Sequence, residues 1–155
     1  MHTVLYGTWA WATMGNMADA HHALGVQLDR DLEARGYVPV ITDYVFDETL
    51  TLLHASAGAR ASLPFAELLL LRVETGNVHW LDIDAERRRE ALELFAKLAP
   101  AEPRISFTDC TSFAVMRELG INFAFSPDRH FHRAGSGIRP LLERLGGRLR
   151  VCLPE

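Results

Sequence analysis

Residues 105–131 read ISFTDCTSFAVMRELGINFAFSPDRHF and contain a strand–helix–strand pattern. Ile105–Phe107 and Asn122–Phe125 are short apolar runs that predict strands, and the segment between them has the spacing of a helix that ends at Gly120. Strands that alternate with helices build a parallel sheet. The stretch therefore predicts an α/β fold.

The same alternation continues through the rest of the chain. Further strands are predicted at 4–6, 37–41, 78–81 and 149–153, and helices at 20–35, 43–57, 65–74, 85–98 and 141–145. This order predicts a three-layer α/β/α sandwich with a central parallel sheet. A chain of 155 residues without an obvious interdomain linker is expected to form one domain over residues 1–155.

Three acidic residues occupy positions that a metal-dependent nuclease requires. Glu48 lies in a predicted amphipathic helix, while Asp109 and Asp128 each follow a predicted strand. Because ligands of open α/β sheets gather at the carboxyl ends of the strands, such a fold can bring these carboxylates into one crevice. The first predicted strand ends at Gly7, where a fourth acid would complete the set.

Clustered carboxylates repel one another, so they persist in one place mainly where a cation compensates them. Their hard oxygen atoms suit Mg²⁺ or Mn²⁺, which also bind phosphate oxygens. Such a site can activate a water and neutralise charge on a leaving oxygen, and two ions ~3.5–4 Å apart hold both oxygens. The pattern therefore predicts hydrolysis of phosphodiesters by a divalent-metal site.

Each acid also has a purely structural interpretation. Asp109 is a suitable helix N-cap. Asp128 follows Ser-Pro and suits a turn. Glu48 suits an exposed helix position or an ion pair with a nearby arginine. Only the joint placement of the three favours a shared site.

Composition limits the classes of protein to consider. Apolar residues make up 48% of the chain and no apolar run approaches the ~18 residues of a transmembrane helix, so no membrane partner is expected. The N-terminus has no basic segment before an apolar one, which predicts a cytoplasmic protein.

The net charge is −4, yet the residues from Arg104 onward include eight arginines and five acids. Local basic patches govern phosphate contact more than net charge does.

Three stretches resemble the PIN domain, and within it the VapC-type toxin ribonucleases of toxin–antitoxin pairs. They are Thr42–Leu53 (TDYVFDETLTLL), Phe107–Leu119 (FTDCTSFAVMREL) and Phe125–Gly135 (FSPDRHFHRAG). The resemblance implies a parallel sheet between helices, an acidic site for Mg²⁺ or Mn²⁺, and RNA as the substrate. It also implies a small protein antitoxin as partner and a homodimer.

The resemblance assigns roles to individual residues. Glu48, Asp109 and Asp128 match three acids of the family site and would hold the metal. Thr8 matches a hydroxyl residue that follows the first acid and would orient a ligand or water. The family places that first acid where this chain has Gly7, which cannot ligate a metal. Loss of one acidic ligand is expected to weaken metal binding and activity.

The sequence leaves several alternatives open. Gly7 fits either a naturally weakened relative or an engineered or selected variant. The chain is then either a weakened endoribonuclease or a catalytically silent module that binds an antitoxin or RNA. A DNA nuclease is a third, weaker alternative.

Other residues carry weaker functional signals. Arg117, Arg129 and Arg133 are weaker candidates for contact with the RNA backbone. The pairs His21-His22 and His130-x-His132 lack a third ligand at zinc spacing. The apolar run Leu68–Leu71 predicts burial in the fold or in a dimer contact.

Overall fold

The computed structural model describes residues 1–133 and 137–155. The last two residues of the Phe125–Gly135 stretch lie outside the described residues. Strands β1 to β7 span His2–Tyr6, Tyr37–Thr42, His79–Leu81, Phe123–Phe125, Arg139–Pro140, Leu142–Leu145 and Arg148–Val151. Helices α1 to α7 span Thr8–Gly15, His22–Ala34, Asp43–Ala57, Ala59–Glu74, Ala85–Leu98, Phe107–Leu119 and His130–Arg133.

A parallel sheet of five strands forms the centre of the fold, in the order β3-β2-β1-β4-β5. Strand β1 is central and its residues Val4, Leu5 and Tyr6 are all buried, as expected for a parallel strand covered on both faces. The register pairs Leu5 with both Val40 and Ala124, so the carboxyl ends of β1, β2 and β4 lie at one edge. The predicted α/β class and central parallel sheet between helices are confirmed.

The core consists of two apolar clusters. Leu5 belongs to one cluster with residues of α5 and α6, and Tyr6 belongs to the other with residues of α1, α2 and α4. Adjacent residues of a strand point to opposite faces, so the two clusters cover the two faces of the sheet. This packing on both faces holds the strands in place at the carboxyl edge of the sheet.

Several predicted elements are wrong. Ile105–Phe107 is not a strand, because Ser106 caps helix α6 and Phe107 is already its first residue. Residues 141–145 are not a helix. Leu142–Leu145 forms β6, an antiparallel partner of β7, because Gly146 and Gly147 supply a tight turn between them.

Other elements were missed or misplaced. Helix α1 (Thr8–Gly15) and the two-residue strand β5 (Arg139–Pro140) were not predicted. Helix α4 begins at Ala59, just after Gly58, rather than near Pro64, which lies inside it. Among the described residues, no helix is long and apolar enough to cross a membrane.

Candidate metal centre

Gly7 lies where β1 ends and α1 begins, at the carboxyl edge of the sheet. Its backbone N–H donates to the carbonyl of Phe125 at 3.3 Å. Its backbone angles (φ −74°, ψ 169°) are extended and suit any residue. A Cβ added there would lie 3.6 Å from the Cβ of Ser126, an ordinary van der Waals contact. Position 7 therefore has room for a side chain without strain.

Asp109 is held in the first turn of α6 by a capping box with Ser106. The Asp109 N–H donates to the Ser106 hydroxyl at 2.9 Å, and the Ser106 N–H donates to Asp109 Oδ2 at 3.2 Å. Asp109 was predicted to open a helix directly after a strand; it does lie in the first turn of the helix, but no strand precedes it. The reciprocal hydrogen bonds fix its carboxylate at the amino end of the helix.

Asp128 follows β4 and is fixed by a tight local network. Its N–H donates to the hydroxyl of Ser126 at 3.0 Å, while its Oδ1 accepts from the N–H of His130 at 2.9 Å. Its Oδ2 lies 3.1 Å from Nδ1 of the His130 ring. These contacts hold the Asp128 carboxylate in one orientation.

His130 is buried between two carboxylates. Its Nε2 lies 2.9 Å from Oε2 of Glu102, a residue only 4% exposed. Glu102 also forms an ion pair with Arg133. Sequence reasoning missed Glu102, whose position between α5 and α6 carries no local signal. Both ring nitrogens of His130 are engaged, so we interpret this residue as a support for Asp128.

The carboxylates of the site influence one another electrostatically. Burial raises the pKa of Asp109 to about 6, and the negative charges of Asp128 and Glu48 raise it as well, whereas hydrogen bonds from Ser106 lower it. Glu48, half-buried on α3, is therefore close enough to act on Asp109. Three acids from α3, α6 and the loop after β4 thus share one electrostatic environment.

Asp109, Asp128 and His130 form the tightest cluster at this edge. Each offers a potential ligand atom, and these atoms lie within 4.8 Å of one another. Glu48 lies outside this tighter group. Carboxylate oxygens at this separation suit a hard divalent cation, which would offset their repulsion.

Two hydroxyl groups near the sequence motifs have no protein hydrogen-bond partner in the part of the chain that the structure describes. They are the buried Oγ1 atoms of Thr8, the first residue of α1, and Thr49, the neighbour of Glu48. Buried hydroxyls normally have a partner. Thr8 follows Gly7 directly, so this unpartnered hydroxyl belongs to the residue next to the end of β1.

The three arginines predicted to contact RNA differ in their surroundings. Arg129 is exposed and follows Asp128 directly. Arg133 pairs with Glu102, and Arg117 pairs with Glu90 at 3.2 Å. Arg117 is eight residues beyond Asp109 on the same helix, roughly 12 Å farther along its axis.

Comparison with known proteins gives consistent matches. Residues 14–137 match the family described as the PIN domain. VapC20 of Mycobacterium tuberculosis, a 23S rRNA-specific endonuclease, is 33% identical over 132 residues, which cover 85% of this chain and 94% of that protein. A VapC ribonuclease of Archaeoglobus fulgidus is 33% identical over 105 residues, covering 67% of this chain and 64% of that protein.

Solved structures agree with these matches. The crystal structure of M. tuberculosis VapC20, described as a sarcin–ricin loop cleaving toxin, has a TM-score of 0.69 at 34% identity and covers 85% of this chain and 95% of its own. VapBC2 from Rickettsia felis, bound to a DNA fragment of its promoter, has a TM-score of 0.62 at 13% identity. This match covers 89% of this chain and 96% of the chain in that structure. The latter likeness concerns the fold alone.

Proposed function

Because this chain belongs to the PIN-domain family, and is homologous to VapC toxin ribonucleases, we propose that it is a divalent-metal-dependent endoribonuclease weakened by Gly7. The observation that supports this proposal is the cluster of Asp109 and Asp128 at the sheet edge where Gly7 also lies, with Glu48 near enough for its charge to raise the pKa of Asp109. Position 7 has room for a fourth acid, but glycine brings no ligand atom there.

We assign Mg²⁺ or Mn²⁺ to Glu48, Asp109 and Asp128. When bound, such an ion polarises a phosphodiester and lowers the pKa of a coordinated water. The chain's own residues hold the ligands in place: Ser106 orients Asp109, and His130 orients Asp128. We assign Thr8, whose buried hydroxyl has no protein partner among the described residues, the role of orienting a ligand or water.

We propose structured RNA as the substrate, and a stem-loop of 23S ribosomal RNA as the first one to test. One relative supports this choice: VapC20 is named for 23S rRNA, and its crystal structure is described as that of a sarcin–ricin loop cleaving toxin. Arg129, exposed and adjacent to Asp128, is the candidate for backbone contact beside the site. Arg117 and Arg133 remain weaker candidates, since each is already paired with an acid.

We further propose the cellular context of a toxin. The chain would act in the cytoplasm as a single PIN domain over residues 1–155, held in check by a small protein antitoxin. A homodimer contact is supported by exposed leucines on α4, of which Leu63, Leu68 and Leu71 are each more than half exposed.

Substitution of Gly7→Asp tests the nuclease proposal. The added carboxylate would complete the ligand set, so Mn²⁺ affinity and EDTA-sensitive cleavage of the RNA stem-loop should both rise, cleavage by about 100-fold or more. Gly7→Asn is the matched control, because it adds nearly the same volume without the negative charge. Mn²⁺ affinity is measured by titration calorimetry and cleavage on a denaturing gel.

A silent binding module is the second candidate, and the missing ligand at Gly7 is the observation that favours it. If Gly7→Asp binds Mn²⁺ more tightly yet neither form cuts any RNA, the silent module is the better description. If Gly7→Asp does not improve Mn²⁺ binding over Gly7→Asn, the assigned metal site is wrong.

A further inference from the structure

The hairpin of β6 and β7 lies beyond the residues that match the PIN domain, which end at residue 137. We propose that this hairpin is an arm that binds the RNA backbone next to the acidic cluster. The inference rests on the proposed ribonuclease function and identifies an element that holds its substrate.

The hairpin region is strongly basic within an acidic protein. The chain as a whole has a net charge of −4, yet residues 139–151 contain four arginines and one acid. The four are all exposed: Arg139, Arg144, Arg148 and Arg150. Arg150 pairs with Glu143, whereas the other three have no acidic partner among residues 1–133 and 137–155. Exposed, uncompensated guanidinium groups suit a polyanion.

The base of the hairpin is fastened at the edge of the sheet that carries the acids. The N–H of Leu141 donates to the carbonyl of Ala124 at 2.8 Å, and the N–H of Cys152 donates to the carbonyl of Leu141 at 2.8 Å. The residue after Ala124 is Phe125, which pairs with Tyr6. The hairpin therefore leaves the sheet next to β4, the strand that precedes Asp128. In the register of the sheet, this point lies within one residue of Gly7.

The hairpin holds its arginines in a defined register. Gly146 and Gly147 have φ of +53° and +82°, and Leu145 pairs with Arg148 across them. Positive φ at both central residues is the geometry of a tight two-residue turn. Arg144 and Arg148 flank this turn, and Leu142 at the base is only 1% exposed. A short ribbon with a buried base limits the entropy that its arginines lose on binding.

Location favours RNA over an acidic protein segment as the occupant. A phosphodiester bound at Asp109 and Asp128 must continue as backbone on either side of the site. The β6–β7 arm begins next to the loop that carries Asp128, so arginines there would meet flanking phosphates. Such contacts position the substrate without reading its sequence.

The test is RNA binding rather than cleavage, so it does not depend on Gly7. The double variant Arg144→Gln with Arg148→Gln is compared with Arg60→Gln with Arg89→Gln, which removes two other exposed arginines that have no acidic partner in the described part of the chain. Fluorescence anisotropy of a labelled RNA stem-loop is measured in EDTA over a range of KCl concentrations. A third variant, Arg144→Lys with Arg148→Lys, tests whether positive charge alone is sufficient for RNA binding.

The hairpin glutamine variant should bind the stem-loop about tenfold more weakly, and the slope of log affinity against log salt should fall by roughly 0.7–0.9 for each lost phosphate contact. The control should match the unmodified chain, and the lysine variant should recover most of the affinity. Equal RNA binding by the hairpin variant and the control would overturn the inference while leaving the proposed function intact.

Two other outcomes are distinguishable. If the unmodified chain binds poly-L-glutamate and the hairpin variant loses only that binding, the arm is a docking site for an acidic protein and the inference is wrong. If the unmodified chain binds no RNA at all, both the proposed function and the inference fail.

Discussion

Position 7 has two structural roles, because it ends β1 and caps the first turn of α1. Glycine at this N-cap provides no side-chain hydrogen bond. Aspartate is among the preferred N-cap residues, since its carboxylate accepts from the free N–H groups of the first turn. An acid at position 7 would suit the N-cap of α1, and its Cβ would lie beside Ser126, whose hydroxyl accepts from the Asp128 N–H, so local geometry does not explain the glycine.

Asp109 predicts a characteristic pH dependence in the metal-free protein. Burial raises its pKa from 3.8 to about 6, so the folded protein keeps a proton that the unfolded chain has released. Between about pH 4 and pH 6 this residue makes the free energy of unfolding fall as the pH rises. Urea unfolding in EDTA should show this trend. The Asp109→Asn variant should lack the part of the pH dependence that comes from Asp109. Parallel curves for the two proteins would contradict the prediction.

The site depends on contacts between helix α7 and the loop that connects α5 to α6. Glu102 in that loop contacts His130 and Arg133 of α7, and His130 in turn contacts Asp128. These contacts connect segments that are 28 residues apart in the chain. Helix α7 has only four residues, so it depends on them to stay in place.

Substitution of Glu102→Gln should therefore destabilise the fold and loosen Asp128. The Glu102 carboxylate is 5% exposed while Arg133 is 54% exposed, so weakening its charge-assisted hydrogen bonds should cost roughly 1–3 kcal/mol. Glu143→Gln is the matched control, because its pair with Arg150 is exposed to solvent and should contribute much less to the free energy of unfolding. Urea unfolding measures both, and equal small losses would show that the Glu102 contacts contribute little.

At the scale of the whole molecule, the C-terminal residues share the core of the sheet. Leu141 and Leu142 lie in the same buried cluster as Tyr6 and Trp11, and Leu153 packs against it. The side chain of Arg35 donates to the carbonyl of Pro154 at 3.1 Å. These contacts support the proposal of one domain over residues 1–155.

The surface of α4 predicts self-association. Leu68 and Leu71 are 56% and 52% exposed, although leucine favours burial. The double variant Leu68→Glu with Leu71→Glu should turn a dimer into a monomer with little change in the free energy of unfolding. Leu92→Glu on α5, where Leu92 is 59% exposed, is the control and should leave the oligomer intact. Analytical ultracentrifugation gives the oligomeric state, and a monomeric unmodified chain would rule out this dimer.

Much of the fold could be predicted from the sequence because local patterns carry it. Apolar runs such as Val4–Tyr6 and helix signals such as Gly120, which ends α6, depend on neighbouring residues only. Glu48, Asp109 and Asp128 each lie within one of the three stretches that resemble the family, so the sequence was enough to identify them as candidates. The α/β class, the parallel sheet and the family were therefore predictable before any contact was known.

The surroundings of those acids became known only from the folded chain. It showed that the helix carrying Asp109 begins at Phe107 with no strand before it, and that Glu102 contacts His130. It also showed that the arginine-rich hairpin leaves the sheet near the acidic edge. These features depend on contacts between residues far apart in the chain. Hydrophobic periodicity and capping signals report only on near neighbours, so they do not contain this information.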